Sequence, residues 1–154
     1  MTLAEKVFAL SAGPDLRRLL GRVVMGWDLA WIRQYNNGMM AAGDFKTSEE
    51  CAAVCTDNQY PKLYWTLNNT PHIAFYDWRP DERIEDTYIL IRRLETEGFW
   101  YGAHGPQTPG GLHCWAFFAG NACKSGKVYD ESMELAACKA ALLTKISEKD
   151  FVIY

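Results

Sequence analysis

His113 and Cys114 stand side by side in LHCWAFFA, and an imidazole with a thiol is the pair that a cysteine nucleophile and its base would need. Successive residues of a strand point to opposite faces of a sheet, so these two cannot easily meet. Cys114 would have to reach His72 or His104 through the fold, and no local signature marks either pairing. Cys51 and Cys55 lie four apart, on one face of a helix, and with His113, Cys114 or Cys123 they would assemble a metal site. Structural zinc is announced by paired short spacings such as Cys-x-x-Cys, and none occurs here. The five cysteines read as reduced, mostly buried thiols, and no metal or other cofactor is expected.

His72 and His113 also invite comparison with the twin histidines of the 2H phosphoesterases, which cleave cyclic nucleotides. That chemistry needs Ser or Thr two residues after each histidine to hold the phosphate, and Ala74 and Trp115 occupy those positions. GNACKSGKV looks like a phosphate-binding loop, but five residues rather than four separate Gly120 from Gly126, and Val128 replaces the magnesium-binding hydroxyl. No catalytic residue is therefore assigned. What remains is aromatic richness, at 14% of the chain. Core is the first reading of any one ring, yet alternation along a strand separates Phe99 from Trp100 and Tyr64 from Trp65, so a sheet covered on one side leaves rings free to stack on a base. The ligand-binding candidates are Trp65, Tyr76 and Trp100 for stacking, with His72, Arg79 and His104, beside Lys62, to meet phosphate.

Several elements must position these residues. Thr2 and Glu5 have capping-box spacing ahead of Leu3, Val7 and Leu10, which predicts an opening helix; Leu16 to Val24 predicts a second, stopped at Gly26. Asn37-Gly38 predicts a hairpin within 27–46, Thr47 to Glu50 a short helix carrying Cys51 and Cys55, and Asn68-Asn69 a hairpin between KLYWTL and HIAFYDW. From Asp81, Ile84, Thr87, Ile91 and Leu94 share a helix face, bordered by Tyr88 and Leu90, with Gly98 after the last turn. FWYGA and LHCWAFFA make a hairpin across GPQTPGG. Asp130 or Ser132 starts a final helix with Leu135, Cys138, Leu142 and Ile146 on one stripe, and FVIY adds a short strand or docks on the surface. Short connections favour antiparallel pairing, so the fold class is α+β: an α/β/α sandwich with a mainly antiparallel sheet covered by helices.

The 154 residues predict a single domain, and a net charge of −3 with interspersed signs argues against tracking a nucleic-acid backbone. No apolar run approaches the ~20 residues of a membrane helix, and the N-terminus lacks a basic leader, which predicts a cytosolic protein without membrane association.

The run from Arg79 to Ile146 resembles the phage ABA sandwich domain family of tailed phages and prophages. The resemblance rests on RPDERIEDTYILIRRLETEGFWYG, on the strands ending in HCWAFF, on the alanine-rich DESMELAACKAALL, and on GPDLRRLLGRVVMGW at the N-terminus. Residues 28–78 match poorly and read as an expanded region. The resemblance implies an α/β/α sandwich and a phage setting, in the host cytoplasm, without established catalytic residues. The expected function is a non-enzymatic phage protein that counteracts host immunity by sequestering a small nucleotide signal, with homo-oligomerisation forming pockets between copies. An anti-CRISPR-like inhibitor of a host defence protein, contacting through acidic groups such as Asp81, Glu82, Glu85 and Asp86, is the alternative. A small nucleotide hydrolase comes third.

Overall fold

The computed structural model describes residues 1–152, and the fold is α+β with antiparallel sheets. Where length suggests one core, the chain divides into two compact units, Trp27–Trp78 and the remainder, Met1–Gly26 with Arg79 onward.

The Trp27–Trp78 unit holds a three-stranded sheet of β1 (Asp28–Tyr35), β2 (Gln59–Leu67) and β3 (Thr70–Ala74), in the order β1-β2-β3. Asn68 and Asn69, at φ 51° and 62°, supply the two left-handed residues of a tight hairpin turn between β2 and β3. The expected hairpin at Asn37-Gly38 turns as predicted, but the returning chain makes only isolated bridges, Trp31 to Phe45 and Gln34 to Met40. β1 pairs regularly with β2 instead. MMAAGD has little strand preference, and Gly43 at φ 97° interrupts any extended run. α3 (Ser48–Val54) is capped by Thr47, whose Oγ1 accepts from the Glu50 amide at 3.2 Å; it carries Cys51 but ends before Cys55. HIAFYDW is a strand only through Ala74. Phe75–Asp77 forms a 3-10 turn, because Phe75 and Trp78 both bury, meeting Trp65 at centroid distances of 5.6 and 6.0 Å.

The other unit opens with α1 (Leu3–Phe8), where the capping box is complete: the Glu5 amide donates to Thr2 Oγ1 and the Thr2 amide to Glu5 Oε2. α2 (Pro14–Leu19) continues as a wider π turn over Leu20–Val24, and Gly26 at φ 71° ends it. α4 (Ile84–Thr96) starts later than Asp81 because Asp81 has another task. Its buried carboxylate accepts from the Gly13 amide at 2.8 Å and from Arg17 Nε at 2.7 Å. Burial works against the Arg17 charge, but hydrogen bonding and attraction to Asp81, and to Glu82 beside it, outweigh this and raise its pKa. The buried stripe of α4 is Thr87, Leu90, Ile91 and Leu94, while Ile84 and Tyr88 are exposed.

β4 (Phe99–His104) and β5 (His113–Ala119) form the expected hairpin. Two short strands were not foreseen, β6 (Ala122–Cys123) and β7 (Val128–Asp130); both pair with β5 on the side away from β4. Ser132 Oγ caps α5 (Met133–Leu143), which is buried from Ala136 to Leu142, with Leu135 at the margin. Even Lys139 is buried, bonded to Asp130 Oδ2 at 2.6 Å and to the Phe8 carbonyl. Cys51, Cys114 and Cys138 are buried, Cys55 is half-buried and Cys123 is exposed, and all five are free thiols. At the C-terminus Phe151 and Val152 close a short helix, α6 (Glu148–Val152), instead of starting a strand; Ile153 and Tyr154 lie outside the described residues.

Candidate functional site

The register of β4 and β5 sorts their side chains onto two faces. Tyr101 pairs with Phe117 and Ala103 with Trp115; Trp100 pairs with Phe118, Gly102 with Ala116 and His104 with Cys114. On the first of these faces Trp115, Phe117 and Val128 are buried while Tyr101 and Ala103 of β4 are exposed, and α4 and α5 pack against these strands. On the opposite face Trp100, Gly102, His104, Cys123 and Tyr129 are exposed. This open face is the candidate site.

Its centre is the exposed Gly102, paired with Ala116; Ala116 and its β5 neighbour Cys114, both small, are buried. At one end the Trp100 indole lies flat on Phe118, with centroids 4.3 Å apart and planes 15° from parallel. Trp100 Nε1 donates to the Gly120 carbonyl at 2.9 Å, which fixes the ring. Half of Trp100 remains exposed, so one indole face is committed and the other is free. His104 stands four residues along the same strand face, about 13 Å away at ~3.3 Å per residue. Its Nδ1 lies 3.1 Å from the Gly105 carbonyl. Tyr129, across β5 from His104, borders the same end and is 52% exposed. Lys124 and Lys127 are exposed in the connection between β6 and β7. The arrangement offers a flat aromatic platform and a polar end, which suits a planar ring carrying an anionic or hydrogen-bonding tail.

Two of the six predicted ligand residues, Trp100 and His104, therefore share one surface. Arg79 belongs to the same unit but is engaged near the start of α4, its amide donating to Asp86 Oδ2 at 2.8 Å and its guanidinium 3.9 Å from Glu82. Trp65 is fully buried, so it is a core ring and offers no stacking face. The irregularity in β3 leaves His72 without a partner in the register and aims it at Trp27, with ring centroids 5.1 Å apart. Trp27 also meets Trp65, so this histidine caps an aromatic cluster. Tyr76 is exposed, edge-on to Phe75. Tyr129, Lys124 and Lys127 escaped sequence reasoning because GNACKSGKVYD reads as a failed phosphate loop; the alternation Val128 buried, Tyr129 exposed was the available signal.

The Trp27–Trp78 unit has a concavity of about 560 Å³ lined by Ile32, the Met40–Asp44 segment, Asn69 and Pro71. It contains none of the six candidates. Among the described residues, no hydrogen bond joins a histidine to a carboxylate, hydroxyl or thiol. Of the four acidic groups considered for a protein contact, Asp81 and Asp86 are buried and hydrogen-bonded within the fold, leaving Glu82 and Glu85 exposed. Comparison with family models, with curated proteins and with solved structures yields no significant match to this chain.

Proposed function

We propose that this chain is a non-enzymatic binding protein of tailed-phage origin that counteracts host immunity, in the host cytoplasm, by sequestering a small nucleotide signal. The observation that carries the reading is the Trp100 indole, held flat by Phe118 with half of its surface exposed, on the same strand face as the exposed Gly102 and His104. A base stacks on the indole and the sugar-phosphate runs over Gly102 towards His104. The phage setting rests on the resemblance of Arg79 to Ile146 to the ABA sandwich domain.

The experiment is calorimetry against a panel of cyclic and linear nucleotides, with recovery of the ligand after denaturation. Binding to the native protein is expected, weakened roughly ten- to hundredfold by Trp100→Ala, since stacking on one base is worth ~1–3 kcal/mol. His104→Ala weakens nucleotides more than the matching nucleosides. The ligand should be returned chemically intact; turnover would install the hydrolase reading instead. Absence of binding across the panel overturns the proposal. The inhibitor reading would then take precedence, with Glu82 and Glu85 as its remaining acidic contacts.

A further inference from the structure

The backbone of β4 is half unused, and the register shows which half. Phe117 spends its amide on Ser125 Oγ and its carbonyl on the Lys124 amide, so its polar groups point towards β6 and β7. Alternation then points Phe118, Ala116 and Cys114 at β4, where their partners are Trp100, Gly102 and His104. The amides and carbonyls of Phe99, Tyr101 and Ala103 consequently face outward, and no strand among the described residues pairs with them.

The edges of the other sheet are guarded. β1 is bridged by Phe45 and Met40, and β3 is short and contains Pro71. β4 has neither device, carries no Lys, Arg, Asp or Glu, and is exposed from Trp100 to His104. Such an edge is a template for another strand. Its rings are also incomplete stacks. Tyr101 lies on Trp115, at 4.5 Å and 18°, as Trp100 lies on Phe118, and both remain part exposed.

We infer that β4 pairs antiparallel with β4 of a second copy, joining two sheets into one across a two-fold axis at Tyr101. The occupant is argued from the strand itself. Setting Tyr101 opposite Tyr101 of the second copy brings outward-pointing residues opposite one another, with Phe99 against Ala103. In the same register Trp100 meets Gly102. Large side chains thus face small ones everywhere except on the axis, where the two tyrosines face each other. The absence of formal charge on the strand leaves no like-charge pair to oppose closure. Glycine opposite Trp100 leaves the free face of the indole uncovered, so the dimer and the binding surface coexist. This inference goes beyond the binding proposal and stands even if no nucleotide binds.

The experiment is sedimentation velocity of the full chain over a range of concentrations. A single strand pair with flanking rings lies near the small end of specific interfaces, ~1,200 Å² in total, so a concentration-dependent dimer is expected. Ala103→Pro removes an outward amide that has no partner within the sheet and should give a monomer at every concentration with an unchanged circular dichroism spectrum. Ala103→Lys, which sets a charged side chain against Phe99 of the second copy without altering the backbone, keeps the test decisive if the proline variant does not fold. A wild-type protein that is monomeric throughout overturns the inference. So does a dimer that survives in folded Ala103→Pro or Ala103→Lys, since it would use another surface.

Discussion

Asp81 illustrates how one residue can carry a charge that looks like surface and acts as a clamp. In the sequence it opens an acidic run; in the fold its carboxylate ties the Gly13 amide and the Arg17 guanidinium together from 68 and 64 residues away along the chain. Both Arg17 and Asp81 are almost fully buried. Removing one partner of a buried pair leaves an uncompensated charge, which costs several kcal/mol, whereas an exposed pair contributes ~0–1. Asp81→Asn is therefore expected to lower stability by about 3 kcal/mol in urea unfolding, because Glu82 still reaches Arg17 Nη2 at 3.0 Å and softens the loss. Glu82→Gln, on a half-exposed side chain, should cost less than about 1 kcal/mol. Equal effects from the two substitutions would show that the clamp is not what secures this part of the fold.

At the scale of elements, legibility followed local signals. Thr2, Thr47 and Ser132 cap the helices that their spacing announces, because a hydroxyl accepting a nearby amide is a contact within one turn. The Phe99–Ala119 hairpin and the Asn68-Asn69 turn were readable for the same reason. What escaped depends on distant partners: β6 and β7 are two and three residues long and exist because β5 offers an edge, and the later start of α4 reflects the engagement of Asp81 with Gly13 and Arg17. Of the candidate site, Trp100 was legible as a strand aromatic, but His104, expected in the connection after FWYGA, is the last residue of β4, and the burial of Trp65 required the tertiary cluster with Trp27 and Trp78. The Asn68-Asn69 turn supports a direct check. Asn69 sits at φ 62°, where glycine is unstrained and a β-branched residue costs ~1–2 kcal/mol. Asn69→Gly should leave the melting temperature unchanged or slightly raised, and Asn69→Val should lower it by several degrees. Equal melting temperatures would mean that the turn relaxes out of the left-handed region.

For the whole molecule, the separate sheets imply that folding free energy is not spread evenly. The Trp27–Trp78 unit has about 50 residues and the remainder about 100, and a smaller unit buries a smaller fraction of the surface that its unfolded chain exposes. Each unit contains its own fully buried thiol, Cys51 on α3 and Cys138 on α5. Burial raises the pKa of the Cys138 thiol well above its ordinary range, with Asp81 and Glu134 adding to it; burial also raises that of Cys51, with Cys55 contributing. The thiolate is the reactive form, so both are doubly protected in the native state, while Cys123 is exposed and labels at once as an internal control. Pulsed alkylation across a urea gradient, read by peptide mass spectrometry, should therefore give two midpoints, with Cys51 becoming reactive at the lower concentration. The reverse order would mean that the aromatic cluster of Trp27, Trp65, Phe75 and Trp78 outweighs the difference in size. Coincident midpoints would mean that the two units unfold as one cooperative body, and that the open face beside Trp100 is only as stable as the smaller unit allows.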